Sequence, residues 1–187
     1  MTHTIFLDRD GVINVDSPDY IKTPDEFHFI PRSPEAVALL TAHGFEVVII
    51  TNQSAVGRKM ITQKTLEAIF DRMTAGVEAA GGRIKDIFFC PHAPDENCPC
   101  RKPLPGLIIQ AVDRHRMDLE KAVMVGDSAK DIECGIAAGC ANNILVATGN
   151  GHKALALLSD RNIIPDFFAQ DLYAAATWII STLAPLP

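Results

Sequence analysis

The chain has 187 residues, of which 48% are hydrophobic and 21% charged, and its formal net charge is −6 at pH 7. These values are typical of one globular domain, so we predict a single domain over residues 1–187. The acidic balance argues against a nucleic-acid binder, and no apolar run reaches the ~20 residues of a membrane-spanning helix. We expect a cytoplasmic protein without a signal peptide, monomeric or a small homo-oligomer, that binds neither nucleic acid nor membrane.

Short apolar runs rich in β-branched residues alternate with amphipathic segments along the chain. The runs predict five strands, over residues 4–7, 46–50, 86–89, 122–125 and 143–147. The amphipathic segments predict five helices: one capped by Ser33 that stops at Gly44, one capped by Thr62 that ends at Gly81-Gly82, two over 105–116 and 128–138, and a last one capped by Asp171. This alternation predicts an α/β fold with a doubly wound, mostly parallel sheet of Rossmann type.

Polar residues that suit phosphoryl transfer recur where the predicted strands end. They are Asp8-Arg9-Asp10-Gly11, Thr51-Asn52-Gln53-Ser54, Arg101-Lys102, and Gly126-Asp127 with Asp131. Ligands of such sheets bind beyond the carboxyl ends of the strands, so these four groups are expected to meet at one edge. Phosphoryl transfer needs a nucleophile, a cation that neutralises the phosphate, and donors for its oxygens. The four groups together supply all three.

The residue types give each group a candidate role. Asp8 is the candidate nucleophile, and Asp10 is the candidate that protonates the leaving oxygen and then activates water. Asp8 and Asp127 offer the oxygen ligands that Mg²⁺ prefers. The Thr51 hydroxyl and the fixed charge of Lys102 would stabilise the phosphoryl group during transfer.

The pattern Asp8-x-Asp10-Gly11, Thr51-Asn52, Lys102 and Gly126-Asp127-x-x-x-Asp131 resembles, in this order, the four motifs of the haloacid dehalogenase (HAD) superfamily of phosphatases. The resemblance implies a HAD-like fold, an aspartyl-phosphate intermediate on Asp8, and Mg²⁺ held by Asp8, Asp127 and the backbone carbonyl of Asp10. It implies a supporting role for Asp131. The intervals between the motifs leave no room for the separate cap domain of many superfamily members, so we expect a capless fold.

A cysteine-rich loop after the third predicted strand suits a second metal. Cys90, His92, Cys98 and Cys100 supply three thiolates and one imidazole, which complete a closed tetrahedral zinc site with no open position. Such a structural Zn²⁺ would staple the loop and fix the position of the neighbouring Arg101-Lys102 pair.

The same loop resembles that of a small zinc-loop subgroup of the superfamily. The resemblance implies a phosphoric monoester hydrolase that removes the 7-phosphate of a heptose 1,7-bisphosphate, in the pathway to nucleotide-activated heptose for lipopolysaccharide or related glycans. Histidinol phosphate is the alternative substrate. Substrate contacts are expected from Asp16, Tyr20, Thr51, Asn52, Gln53, Ser54, Arg58, Arg101 and Lys102.

Two other classes of protein share part of this pattern. A receiver-type regulatory domain also has a parallel sheet, a phosphorylated aspartate, a threonine and a lysine, but it would lack the cysteine-rich loop. A DNA-end phosphatase resembles the chain in Asp8-x-Asp10-Gly11 and Thr51-Asn52-Gln53, but the net charge of −6 is unfavourable for a DNA ligand. Turnover of a simple aryl phosphate would separate an enzyme from a receiver domain.

Overall fold

The computed structural model describes residues 2–183, and the two ends of the predicted domain, at Met1 and Pro187, lie outside the described residues. The strands are β1 (Thr4–Leu7), β2 (Glu46–Asn52), β3 (Asp86–Cys90), β4 (Ala122–Gly126), β5 (Asn142–Val146) and β6 (Phe167–Ala169). The α-helices are α1 (Ser33–Ala42), α2 (Ser54–Gly57), α3 (Gln63–Ala79), α4 (Gly106–His115), α5 (Ala129–Ala138), α6 (Gly151–Asp160) and α7 (Leu172–Leu183).

All of these strands belong to one sheet in the order β3-β2-β1-β4-β5-β6, and every pairing is parallel. Parallel neighbours need long crossovers, which the helices supply. The predicted doubly wound sheet is confirmed, and within residues 2–183 it is wholly rather than mostly parallel. None of the helices in that range has the length and the apolar run that crossing a bilayer requires.

Helices cover both faces of the sheet because successive side chains of a strand point to opposite faces. On β1, Ile5 and Leu7 belong to a core with α1, α3 and α7, whereas Phe6 between them belongs to a core with α4 and α5. On β5, Leu145 packs with α6 on the second of these faces. The central strands are therefore buried on both sides, which explains why they read as unbroken apolar runs.

Two of the three predicted helix caps are confirmed. Thr62 Oγ1 accepts the backbone N–H of Thr65 at 3.1 Å, and Asp171 Oδ1 accepts that of Ala174 at 2.8 Å. The predicted Ser33 cap is wrong. Ser33 is the first residue of α1, and its buried hydroxyl donates to the carbonyl of Ile13 at 2.5 Å, where it satisfies an acceptor of the loop after β1.

Of the strands and α-helices above, three were not predicted: β6, α6 and the single turn α2. β6 has only three residues at the edge of the sheet, and α6 begins at Gly151 without a side-chain cap, so neither carries a strong sequence signal. Thr51 and Asn52 were expected to follow their strand. They are instead the last residues of β2, because both pair with β3.

Candidate active site

The crevice between β1 and β4 brings the predicted catalytic groups together, because the strand order reverses at this point. Leu7 of β1 is paired with Val125 of β4. Asp8 and Asp127, which follow these strands, therefore leave the sheet at the same edge. β2 ends beside them at Asn52, and a cavity of about 260 Å³ opens there.

Most of the predicted site residues line this cavity: Asp8, Asp10, Asp16, Tyr20, Asn52, Gln53, Ser54, Arg101, Lys102 and Asp127, together with Asp131. The structure does not bring two others to it. Thr51 is buried, and Arg58 lies at the exposed end of α2. Sequence analysis assigned no role to six lining residues: Arg9, Ser17, Ile21, Ser128, Lys130 and Asn150.

Lys102 is a buried cation of the site. Its ammonium nitrogen lies 2.6 Å from Asp131 Oδ1 and 2.9 Å from Asp8 Oδ1, and it donates to the Ile50 carbonyl at 2.9 Å. Only 3% of the Lys102 side chain is exposed, and Asp131 is fully buried. The ammonium group therefore lies between the two carboxylates, and its ion pair with Asp8 fixes the position of that carboxylate.

The carboxylates around Lys102 carry more negative charge than one ammonium group neutralises. Burial raises the pKa of Asp8 well above its ordinary value despite the opposing effect of Lys102, and the charges of Asp131 and Asp127 raise it further. Burial, and then the charge of Asp131, raises the pKa of Asp127 to about 7. Burial lowers the pKa of Lys102, but the charges of Asp131 and Asp8 outweigh burial and raise it. Such a site favours the binding of a further cation.

Three carboxylates, those of Asp8, Asp127 and Asp131, offer oxygens that lie within 4.8 Å of one another, and an all-oxygen donor set suits Mg²⁺. Both oxygens of Asp131 are committed, Oδ1 to Lys102 and Oδ2 to the backbone N–H and hydroxyl of Ser128 at 3.0 and 2.6 Å. Within residues 2–183, Asp8 Oδ2 and Asp127 Oδ1 accept no hydrogen bond. These two free oxygens fit the predicted Mg²⁺ ligands, and Asp131 fits the supporting role.

The turn after β5 orients the Asp127 carboxylate. Asp127 Oδ2 accepts the backbone N–H of Asn150 at 2.8 Å and the Asn150 side-chain amide at 3.3 Å. A Cβ on Gly149 would lie 2.2 Å from this oxygen, and so would a Cβ on Gly11. Both glycines also have positive φ, 58° and 78°, which residues with a side chain rarely adopt. The close approach that holds Asp127 Oδ2, and leaves Oδ1 free, therefore requires glycine at both positions.

Three other side chains hold the Asp10 carboxylate. Its Oδ1 accepts from Arg9 Nη2 at 2.5 Å, Arg9 Nε at 3.1 Å and Asn14 Nδ2 at 2.9 Å, and its Oδ2 accepts from Gln53 Nε2 at 2.9 Å. Burial raises the pKa of Asp10, but the charge of Arg9 and these hydrogen bonds outweigh burial and lower it. The Asp10 carboxylate is not part of the group formed by Asp8, Asp127 and Asp131. The backbone carbonyl of Asp10 therefore stays the metal ligand that the resemblance implies.

The end of β2 is tied to the loop that carries Lys102. Asn52 Nδ2 donates to the Lys102 carbonyl at 3.2 Å, and the Lys102 N–H donates to Asn52 Oδ1 at 3.1 Å. Beside this pair, Gln53 Nε2 donates to the buried Thr51 Oγ1 at 2.9 Å. The Thr51 hydroxyl keeps its own hydrogen to donate, so its contact with phosphate stays a prediction.

The predicted zinc ligands converge after β3. The ligand atoms of Cys90, His92, Cys98 and Cys100 lie within 4.8 Å of one another, and the four residues include no disulfide. The three sulfur–sulfur distances are 3.2, 3.4 and 3.4 Å. Three thiols and one imidazole complete a tetrahedral site without an open position, so the set fits a structural Zn²⁺. Arg101 Nη1 donates to the His92 carbonyl at 3.1 Å, and the loop thereby positions this arginine.

Cys98→Ser is expected to lose zinc and to lower the stability of the fold by more than ~2 kcal/mol, because the loop has little core of its own. In a chain of this size that loss corresponds to a thermal midpoint lower by about 5 °C or more. Activity should fall in parallel, since the same loop carries Arg101 and Lys102. Metal analysis, calorimetry and a phosphate-release assay measure the three effects.

Cys140→Ser is the matched control, because Cys140 is a buried cysteine outside the cluster. It should keep one equivalent of zinc. A Cys98→Ser protein that also keeps one equivalent, or a wild-type protein purified without zinc, would contradict the assignment.

A family profile described as HAD-hydrolase-like matches residues 99–175. A D-glycero-beta-D-manno-heptose-1,7-bisphosphate 7-phosphatase of Bordetella bronchiseptica is 47% identical over 152 residues, which cover 81% of this chain and 84% of the relative. The protein of the same name from Yersinia pestis is 36% identical over 190 residues and covers 98% of this chain and 92% of the relative. The crystal structure of D,D-heptose 1,7-bisphosphate phosphatase from B. bronchiseptica, complexed with magnesium and phosphate, matches with a TM-score of 0.90 at 41% identity and covers 96% of this chain and 99% of that chain.

The wholly parallel sheet and the aspartate cluster at its carboxyl edge define a hydrolase of the haloacid dehalogenase superfamily. Its relatives match over most of both lengths. The chain belongs to the family of D-glycero-beta-D-manno-heptose-1,7-bisphosphate 7-phosphatases. The resemblance to the superfamily and to its zinc-loop subgroup is confirmed.

Proposed function

We propose that the protein is a Mg²⁺-dependent phosphatase that hydrolyses the 7-phosphate of D-glycero-beta-D-manno-heptose 1,7-bisphosphate. One observation carries the chemistry. Asp8 lines the cavity together with Lys102, its buried ion-pair partner, and with Asp127, and Asp8 and Asp127 each have a free carboxylate oxygen. The names of the relatives support the substrate and favour it over histidinol phosphate. They give no support to a receiver domain or a DNA-end phosphatase.

The reaction has two steps on Asp8. In the first, the Asp8 carboxylate attacks phosphorus, the bond from phosphorus to the sugar 7-oxygen breaks, and this oxygen takes a proton from Asp10. In the second, a water molecule gives its proton to Asp10 and attacks the phosphorus, which releases inorganic phosphate and restores the Asp8 carboxylate. When bound by Asp8, Asp127 and the Asp10 carbonyl, Mg²⁺ would neutralise charge on the phosphate oxygens.

Asp10 needs a proton for the first step, although Arg9, Asn14 and Gln53 keep its pKa low in the free site. The phosphate of the substrate brings negative charge close to this carboxyl group, which raises its pKa. An Asp10 oxygen must also lose its hydrogen bonds before it can carry this proton. Oδ2 needs the smaller change, because it accepts one hydrogen bond, from Gln53.

Five residues from two segments are assigned to the reacting phosphate. Lys102 neutralises the charge that develops on Asp8 and phosphorus. The last residues of β2, Thr51 and Asn52, and the two that follow, Gln53 and Ser54, donate hydrogen bonds to the phosphate oxygens. Arg101, Asp16 and Tyr20 line the same cavity and would contact the sugar or its second phosphate. Arg58 is left out of this assignment. Zn²⁺ on the cysteine-rich loop is assigned a structural role only.

Phosphate release in the presence of Mg²⁺ tests the proposal. Purified protein is assayed for kcat/KM on the heptose 1,7-bisphosphate, the heptose 7-phosphate and histidinol phosphate, and phosphorus NMR identifies which ester of the bisphosphate is cleaved. We expect the bisphosphate to be preferred and the 7-phosphate to be lost. A preference for histidinol phosphate, or loss of the 1-phosphate, would overturn the substrate assignment.

A further inference from the structure

Arg9 lies in the turn between Asp8 and Asp10, the two aspartates of the proposed reaction. It lines the catalytic cavity, yet only 1% of the residue is exposed. An arginine stays protonated in proteins and is seldom fully buried unless it is paired, so the fold places a permanent positive charge here. Asp10 is its partner, with 2.5 Å between Arg9 Nη2 and Asp10 Oδ1.

The stability of the fold does not account for this arginine. The Nη1 nitrogen of Arg9 is buried, and within residues 2–183 it makes no hydrogen bond, which costs free energy. The Asp10 side chain is 23% exposed, so water could solvate its charge without an arginine. An apolar side chain of similar volume would fill the same space without burying a charge or an unpaired donor.

The hydrogen bonds to Asp10 are divided unequally between its two oxygens. Oδ1 accepts from Arg9 Nε at 3.1 Å, from Arg9 Nη2, and from Asn14 Nδ2 at 2.9 Å. Oδ2 accepts one hydrogen bond, from Gln53 at 2.9 Å. Two nitrogens of one planar guanidinium group on the same oxygen fix the direction of the carboxyl group as well as its position. Oδ1 is therefore the anchored oxygen, and Oδ2 is the one left to exchange a proton.

The fold holds Arg9 at both ends. Its backbone carbonyl accepts the N–H groups of residues 12–14 at 3.3, 2.8 and 3.2 Å, and its own N–H donates to Asp8 Oδ1 at 2.7 Å. At the other end, its guanidinium carbon lies 5.9 Å from the centre of the Phe70 ring of α3. A side chain fixed by the turn and by a helix is a rigid support for the carboxyl group that it contacts.

We propose that Arg9 is a positioning residue of the phosphatase reaction, whose guanidinium group holds Asp10 Oδ1 so that Oδ2 is directed at the oxygen of the leaving group. The inference rests on the proposed function, in which Asp10 protonates the sugar oxygen. Arg9 acts through Asp10 and does not itself exchange a proton. A general acid must lie within hydrogen-bond reach of the atom that it protonates, and a displacement of about 1 Å can cost roughly 10²-fold in rate.

Arg9→Met is expected to lower kcat for the heptose 1,7-bisphosphate roughly 100-fold, because Asp10 loses the contacts that direct it. KM should stay within about threefold of wild type, since no contact with the substrate is removed. On a nitrophenyl phosphate, whose leaving group needs no proton, kcat should fall by no more than about threefold. A residue that only stabilised the fold would slow both esters alike.

A double-mutant cycle with Asp10→Asn tests whether Arg9 acts through Asp10. In the Asp10→Asn background, Arg9→Met should slow hydrolysis of the bisphosphate by no more than about threefold, because the acid that it positions is already absent. The double variant removes both members of the ion pair, so no unpaired charge is left to destabilise its fold. Losses that multiply in the double variant would mean that Arg9 acts independently of Asp10, and would overturn the proposal.

Arg9→Lys separates direction from charge. A lysine keeps the positive charge but has one nitrogen, so it cannot place a planar pair of donors on Asp10 Oδ1. We expect kcat for the bisphosphate to stay at least roughly tenfold below wild type, with the nitrophenyl ester again spared. Full recovery by lysine would overturn the positioning role, since charge alone would then suffice. The same variant replaces Arg9→Met in the comparison of the two esters if the methionine variant does not fold.

Arg114→Met is the matched control. Arg114 likewise pairs with an aspartate, Asp86 at 3.1 Å, and its guanidinium carbon lies 4.8 Å from the centre of the Phe88 ring. It does not line the catalytic cavity. We expect kcat and KM for both esters to match wild type.

An equal loss on both esters, or no loss on either, would overturn the role of Arg9. A wild-type protein that hydrolyses the nitrophenyl ester but not the heptose bisphosphate would instead overturn the proposed substrate. In that case the double-mutant cycle is measured on the sugar phosphate that the protein does hydrolyse, and losses that multiply there reject Arg9 as a positioning residue.

Discussion

Asp8→Asn is expected to lower the rate of phosphate release by at least ~10⁴-fold, because an amide cannot attack phosphorus as a carboxylate does. The fold should survive. The amide oxygen can still accept from Lys102 and from the Arg9 N–H, as Asp8 Oδ1 does at 2.9 and 2.7 Å. The raised pKa of Asp8 also shows that its buried site disfavours the charged form, so a neutral side chain costs little stability. Calorimetry should find a thermal midpoint at or above that of wild type.

Asp10→Asn serves as the comparison variant, because its defect depends on the leaving group. On a sugar phosphate it should be slowed by roughly 10²–10⁴-fold, since the leaving oxygen would depart without a proton. On a nitrophenyl phosphate, which needs no proton, its loss should be much smaller, whereas Asp8→Asn should fail on both esters. An Asp8→Asn rate within about tenfold of wild type would reject Asp8 as the nucleophile.

The sequence was sufficient to predict where the carboxylates meet, because that depends on strand register alone. Apolar runs buried on both faces identify the central strands, and parallel strands end at the same edge of a sheet. The pairing of Leu7 with Val125 then places the residues after both strands side by side. The cysteine-rich loop was predictable for a different reason, since its four ligands lie within eleven residues of the chain and need no long-range packing to meet.

Contacts that depend on tertiary packing were not predictable from the same residues. Arg9 is 1% exposed, held against Asp10 and 5.9 Å from the centre of the Phe70 ring of α3, and no local pattern marks an arginine that will be buried by a distant helix. The contact between Asn150 and Asp127 joins the turn after β5 to the turn after β4. The sole signal of this contact in the sequence was the glycine-rich turn before Gly151. Such a turn does not reveal which side chain it will contact.

Lys102→Met is expected to cause the largest loss of stability, ~3–5 kcal/mol in the absence of divalent metal. Methionine fills a similar volume but leaves Asp8 and Asp131 without the cation that lies 2.9 and 2.6 Å from them. Unfolding by urea in a chelating buffer measures the change. Lys85→Met is the control, because Lys85 pairs with Glu46 at 2.6 Å near the surface, where such a pair contributes only ~0–1 kcal/mol.

The pH dependence of the stability of Lys102→Met shows whether the variant loses the neutralisation of its carboxylates or the packing of the lysine side chain. Without Lys102 the pKa of the buried carboxyl groups of Asp8 and Asp127 should rise, because the charge of Lys102 lowers both, and folded protein with a raised carboxyl pKa binds protons that the unfolded chain does not. The variant should therefore gain stability relative to wild type as the pH falls from about 8 to about 6, the range around the pKa of about 7 at the neighbouring Asp127. Added Mg²⁺ should also narrow the difference, since a divalent cation supplies the missing positive charge. A loss that is the same at every pH and unchanged by Mg²⁺ would mean that Lys102 stabilises the fold by packing and not by neutralising the carboxylates.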